Sequence, residues 1–451
     1  GYDPDLYPDV DWVDAITKDY AYTTRGNLEV SGGSGFLRYS VVASYFRETG
    51  ILEQDKTLPV NNATNNQHYN LRSNIDMEVT KTTLLRVNIG GFLNRFKQQR
   101  CNTDEAFTQA FQTLPFAYPR RYSDGSIPLQ AQRANPWSTV TQQGYGFFTS
   151  SKIQTLFSVE QDLKFITKGL KLKALFSFDR WNRSRRGRTL NTARVSPATG
   201  RDATGKLIYD VLQTGDESMG SYKESEYGNT RVYFEADAMY NCAFGKHDVS
   251  ALFLYNQQAY DTGDIQDYRK QGIAGRLSYS YDNRYVGEVN FGYNGSENFA
   301  KGRRFGFFPS VAVGWLISEE PWMERMRKVF NNIKLKASVG QAGDDNIGGR
   351  RFAYRTTLNV DASGYTWGSG GQRHYKGLTE GDIGVSNLKW ETVTKYNAGV
   401  ELGIMNMLDF SFDIFREKRK DIFMQRRLIP TQIGFQKSPW ANFGKVTNGG
   451  F

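Results

Sequence analysis

Side chains able to run a reaction are sparse in this sequence, and their spacing assembles no site. Cys101 and Cys242 are the only cysteines in 451 residues, too few for a disulfide framework or a cysteine-based zinc site. His68, His247 and His374 complete the histidines. They lie far apart in the chain, with no serine, cysteine or carboxylate set around any of them that would make a general base. Asp344-Asp345-Asn346 is oxygen-rich and could offer ligands to calcium. It lacks the spacing of a calcium loop, and such residues beside glycine form turns without an ion. No catalytic set, metal site or cofactor is expected, and hence no enzyme. Binding chemistry is better represented. Trp137, Tyr145, Tyr365 and Trp367 fall in long loop segments, where rings can stack on sugars; the bland alternative is that they pack loops together or mark a membrane interface. Arg303-Arg304 and Arg185-Arg186 could hold an anionic group, or simply form a solvated rim.

Loops need elements to hold them, and the clearest run from Gly272 to Trp322. Leu277, Tyr279 and Tyr281, then Tyr285, Val289, Phe291 and Tyr293, place bulk on odd positions. Arg276, Ser278, Ser280, Glu288 and Asn290 lie between them, so the period is two, as in strands with one oily and one polar face. For both odd sets to share a face, Tyr281 must stand opposite Tyr285 and Leu277 opposite Val289, across Asp282-Asn283-Arg284. From Arg304 to Ser318 the bulk is odd again: Phe305, Phe307, Val311, Val313, Trp315 and Ile317. Soluble sandwiches alternate too, but their strands average about 5–6 residues. These run to roughly ten or more, as a tilted membrane crossing requires. The odd positions are therefore predicted to face lipid, and Arg276, Glu288 and Asn290 a wet lumen.

Composition agrees. Mean hydropathy is −0.58 with 39% hydrophobic residues and no long apolar run, which excludes helical membrane spans. A barrel is not excluded, because only alternate strand residues meet lipid. The net charge of +10 invites nucleic acid, but the basic residues are scattered or gathered at loops and strand ends, so nucleic acid is not an expected partner. Connections alternate in length. Gly33-Ser34-Gly35, Lys81-Thr82, Ile166 to Gly169 and Met405-Asn406 are short; Glu48 to Gln67, Gln98 to Gly146 and Ser184 to Lys223 are long. In a membrane barrel the short turns are periplasmic and the long loops extracellular. A short helix is expected at Thr103 to Thr113 and a small helical connection at Glu319 to Asn332. Thr447-Asn448-Gly449 breaks the alternation and reads as a strand just starting. Cys101 belongs on the outer side and Cys242 near the periplasmic side, too far apart for a disulfide.

Several blocks carry a resemblance. Tyr7-Pro8-Asp9-Val10-Asp11-Trp12, Asn27 to Ser34, Tyr69 to Asp76 and Tyr293 to Gly306 resemble the SusC/RagA family of TonB-dependent outer-membrane transporters. Phe308-Pro309-Ser310, Leu335 to Gly343, Leu388-Lys389-Trp390-Glu391-Thr392 and Lys420-Asp421-Ile422 continue the match, collinear over nearly the whole chain. The resemblance implies an all-β, antiparallel transmembrane barrel of the large type with about 22 strands. Residues 1–451 would be its central part, with the plug domain and terminal strands absent. It further implies import of an oligosaccharide or peptide across the bacterial outer membrane. A SusD-like surface lipoprotein and, through the plug, the TonB complex would be partners, and the barrel would meet outer-membrane lipid and lipopolysaccharide. Trp137, Tyr145, Arg303, Arg304, Tyr365 and Trp367 are the candidate ligand-binding residues. The alternatives are a carbohydrate-binding or adhesive all-β surface protein without transport, and a soluble β glycoside hydrolase.

Overall fold

The computed structural model describes residues 2–58, 61–130, 134–216, 219–264, 266–435 and 437–451. Its main element is a 15-stranded sheet in which each strand pairs antiparallel with the next long strand in sequence. The first six strands are β1 (Thr23–Gly33), β2 (Leu37–Thr49), β3 (Asn65–Thr80), β4 (Thr83–Gln99), β5 (Gly144–Asp162) and β6 (Leu170–Thr189). Then come β7 (Gly220–Phe244), β8 (His247–Asp261), β9 (Tyr268–Tyr281), β10 (Tyr285–Ser296) and β11 (Phe305–Leu316). The last four are β12 (Phe330–Asp344), β13 (Glu391–Ile404), β14 (Leu408–Gln425) and β15 (Trp440–Gly450).

The register is the one that alternation demands. Tyr281 pairs with Tyr285 and Leu277 with Val289. The turn between them works because Asp282 and Asn283 take positive φ, 53° and 57°, a region that short polar side chains tolerate. Met405 and Asn406 take the same backbone between β13 and β14, at 52° and 53°, although only Asn406 has a short polar side chain.

Connections at one end of the sheet are mostly short, as at 81–82, 245–246 and 282–284, with 317–329 the exception, and those at the other are mostly long, as at 100–143, 190–219 and 345–390. Several strands outrun their sequence-based bounds. β6 and β7 remain paired as far as Thr189 and Gly220, beyond any bilayer crossing, so both ends of the expected loop, 184–189 and 220–223, are strand.

Two expectations change. Glu319 to Asn332 is helical only in part: it holds short 3-10 helices at Ile317–Glu319 and Pro321–Met323 rather than one helix, and β12 already begins at Phe330. Tertiary anchors fix this segment, with Arg327 Nε donating to the Ser318 carbonyl at 2.6 Å. Nor is the C-terminal strand just starting. β15 begins at Trp440, and Thr447, Asn448 and Gly449 are in register with Lys418, Glu417 and Arg416.

The buried cores lie among the long connections. The largest joins α1 (Trp12–Ile16), α2 (Thr103–Gln112) and α3 (Pro136–Thr141) through Trp12, Ile16, Ala106, Tyr118, Trp137 and Val140. Asp11 caps α1 and Asn102 caps α2, each accepting from two backbone N–H groups. A second core gathers Phe299, Ile347, Val385, Leu388 and Phe423, and a third Tyr122, Val195 and Leu207.

Candidate functional site

The two faces of the sheet differ in chemistry. On one, Arg276 Nε donates to Asn290 Oδ1 at 3.2 Å and lies 3.5 Å from Glu288. The same face carries Glu160, which meets Arg86 at 3.1 Å and Lys171 at 2.9 Å, and Lys336, which meets Glu401 at 3.0 Å and Asp413 at 3.1 Å. On the other face Leu277, Val289, Phe307 and Val313 are at least half exposed. An apolar band running strand after strand belongs against lipid, which makes the charged face the lumen wall.

That wall contains a polar recess of about 380 Å³ lined by Asn70, Arg72, Asn74, Asn88, Gln154 and Asp179. Gly90 gives it depth: a Cβ there would come no closer than 3.5 Å to the nearest atom, so a side chain would fill open space. Converging amides, a guanidinium and a carboxylate can hydrogen-bond a hydroxyl- or amide-bearing solute on its way through.

At the outer end, the predicted binding residues separate. Trp137 is 5% exposed, in the core of the helical cap, with the Arg121 guanidinium 4.9 Å from its ring centre. Its faces are in use, and it offers none to a sugar. Tyr145 is half-buried beneath the Lys97 ammonium, 5.1 Å away, on the apolar face. Arg303 and Arg304 are exposed in the 297–304 connection. Arg303 Nη1 reaches the Asn387 carbonyl at 3.5 Å, and Arg304 borders two small cavities of about 170 and 370 Å³ beside Arg269 and Glu297. Tyr365 and Trp367 do come together, on a hairpin of strands Leu358–Trp367 and Arg373–Glu380. Their rings pack edge to face at 5.7 Å, and Tyr375 adds a third ring 5.8 Å from Trp367. All three are more than half exposed. Tyr375 was missed, although the Gly368 to Gly371 turn that sets it opposite Tyr365 is visible in sequence.

Asp344-Asp345-Asn346 acts as turn and tether. Asp344 accepts from the Asn346 N–H at 2.9 Å, and Asp345 meets Lys270 at 2.8 Å. Among the described residues no group of three or more His, Cys, Asp or Glu side chains is placed to hold a metal.

Electrostatics fixes both ends of the barrel wall. Burial alone would push the Asp55 carboxyl up. Hydrogen bonds from Thr57 and Gln142 and the Arg121 charge outweigh it and hold the group below its ordinary range. The bond to Gln142 Nε2 is 2.7 Å and that to Arg121 Nη2 2.5 Å, which ties connection 50–64 to connection 100–143. At the periplasmic end Glu320 accepts from Tyr285 Oη at 2.5 Å, Trp315 Nε1 at 3.0 Å and Arg284 Nη1 at 3.0 Å. The tyrosine and tryptophan bonds, then the arginine, hold its carboxyl low.

Residues 96–451 match the family described as TonB dependent receptor-like, beta-barrel. The chain belongs to that family. Its relatives include TonB-dependent receptor P3 of Formosa agariphila, 23% identical over 98% of this chain and 44% of the relative. TonB-dependent receptor SusC of Bacteroides thetaiotaomicron is 33% identical over 39% of this chain and 17% of SusC. The fold is also that of the RagAB peptide importer in its closed-closed state, with a TM-score of 0.68 and 18% identity over 99% of this chain and 50% of that one. The chain thus spans about half the length of the proteins it matches in full. As a TonB-dependent receptor barrel it is an outer-membrane protein, and its family is one of receptors and transporters rather than enzymes.

Proposed function

We propose that this chain forms barrel wall for a TonB-energised outer-membrane importer of a bulky polar nutrient, an oligosaccharide or a peptide. The observation that carries the reading is the sheet itself: long antiparallel strands with an apolar band on one face and hydrogen-bonding side chains on the other. Kinship to the RagAB peptide importer supports a peptide cargo, and kinship to SusC, a TonB-dependent receptor, supports TonB energisation. A SusD-like surface lipoprotein is the proposed lid over the outer loops, and TonB the energy source through a plug. Residues 1–451 are proposed to be the central part of a larger barrel. Among the described residues, strands β1 and β15 each keep one unpaired edge, and the relatives are about twice as long.

The test is uptake by cells carrying the full-length protein, offered labelled oligosaccharides and labelled peptides. Accumulation that disappears when TonB is deleted is the expected result. The exposed Tyr365, Trp367 and Tyr375 also favour a second reading, surface glycan capture without transport. Cells that bind a glycan but never internalise any cargo would establish that reading and overturn import.

A further inference from the structure

We propose that the outward face of β1 to β5 holds a specific lipid: an apolar groove for acyl chains beneath an arginine pair that takes the phosphates of an outer-leaflet glycolipid. The inference rests on the outer-membrane placement of the barrel and not on import.

Register stacks the groups. On the lipid face Arg47 pairs with Gln67 and Gln67 with Arg95, one row across three strands. Two residues deeper the row is Tyr45, Tyr69 and Leu93; two deeper still it is Ala43, Leu71 and Gly91. Leu28 flanks Ala43 on one side, and Ile153 flanks Gly91 on the other. The small pair Ala43 and Gly91 leaves a groove of about 940 Å³ between those larger neighbours. No side chain can close it at Gly91, where a Cβ would stand 2.3 Å from the Lys152 carbonyl oxygen.

The rows run toward the long-loop end, so the arginines lie on the outer-leaflet side of the groove. Between the two, Tyr45 and Tyr69 pack with ring centres 5.1 Å apart, at the level where amphipathic rings mark a membrane interface. Arg47 Nε donates to Asn65 Oδ1 at 3.0 Å, which fixes the guanidinium. Neither Arg47 nor Arg95 has a carboxylate partner among the described residues. Thr49, Gln67, Lys97 and Thr149 share this end of the face on β2 to β5, where none of the described residues is acidic; Glu226, in the same row, lies three strands from Arg95 on β7 beside Arg186. The two arginines stand two strand spacings apart, roughly 9–10 Å, within reach of one phosphorylated headgroup. Acyl chains below and anionic oxygens above describe a phosphorylated glycolipid. A neighbouring lipoprotein's acyl anchor would fill the groove but bring nothing for the arginines.

The test uses the full-length protein extracted from the outer membrane, with bound lipid read by native mass spectrometry and by titration in detergent. The probes are diphosphoryl lipid A, its dephosphorylated form and phosphatidylethanolamine. Diphosphoryl lipid A should bind best. Arg47→Gln with Arg95→Gln should weaken it about tenfold or more while leaving the dephosphorylated form unchanged. The lysine pair, Arg47→Lys with Arg95→Lys, should recover much of the loss, and Ala43→Phe should weaken all three lipids by filling the groove. Heat-dependent gel migration reports folding for every variant. Equal binding of phosphorylated and dephosphorylated lipid would overturn the proposal, as would an unaffected arginine double variant or a lipoprotein anchor recovered from the groove. None of these outcomes alters the uptake test.

Discussion

Asp55 shows why side-chain counts mislead in the outer cap. Its side chain is 3% exposed against Arg121, whereas the Arg38–Glu78 pair is 68% and 55% exposed. Removing one partner of a buried pair strands the other charge, so Arg121→Ala should cost about 3 kcal/mol of cap stability. Arg38→Ala should cost under about 1 kcal/mol. Amide exchange at 50–64 and 100–143 measures the first, and equal protection in the two variants would refute it. Acid acts in the same place. The folded Asp55 carboxyl titrates below its ordinary value of 3.8, so its contribution is complete above that pH and is lost as pH falls through the folded value. Proteolysis of the cap should therefore stay flat from neutral pH down to about 4 and rise only below it. Both thiols are free, with Cys101 leading into an outer loop and Cys242 beside the short 245–246 turn. Burial, then the Glu105 charge, pushes the Cys101 thiol up, so it should react slowly with alkylating reagents at pH 8. Migration on gels should be the same with and without reductant; a reductant-sensitive species would break the inside–outside assignment.

At the scale of a strand, parity decides everything. Leu277 lies on the lipid face opposite Val289, and its neighbour Ser278 on the lumen face opposite Glu288. Leu277→Arg should destabilise the membrane-inserted barrel by about 2–4 kcal/mol if it lies near the bilayer midplane. Ser278→Arg, one residue along, gains a carboxylate neighbour and should change stability by no more than about 0.5 kcal/mol. Denaturant titration in lipid bilayers gives both values. A costlier serine variant would reverse the two faces.

For the molecule as a whole, closure is the issue. Among the described residues, the strands at the two ends of the 15-stranded order do not bond to each other, so β1 and β15 each present a row of unpaired backbone groups. Bilayers do not tolerate such edges, and in water they aggregate. The polypeptide 1–451 expressed alone should therefore fail to give a monomer with heat-modifiable migration. A stable, detergent-soluble monomer of this polypeptide would show that it closes by itself.

Alternation in 277–293 and 305–317 was enough to give strand type, face and register, because a period of two leaves one pairing that keeps Leu277, Val289 and their neighbours together. Turn residues did the same for Asp282-Asn283, where the side chains permit the backbone the turn needs. Loop architecture was not legible. Trp137 and Trp367 look alike in sequence, yet one is buried beneath Arg121 and the other lies exposed on a hairpin, because loop packing is set by contacts between distant segments. Glu319 to Asn332 had helical spacing, but Glu320 is captured by Tyr285, Trp315 and Arg284 from the barrel's end, and those long-range bonds override local preference. Arg47 and Arg95 are 48 positions apart and carry no shared motif; only the pairing of three strands sets them side by side above a common groove. Local periodicity determined the wall, while what the wall presents to lipid, lumen and loops was decided by strand neighbours that sequence distance conceals.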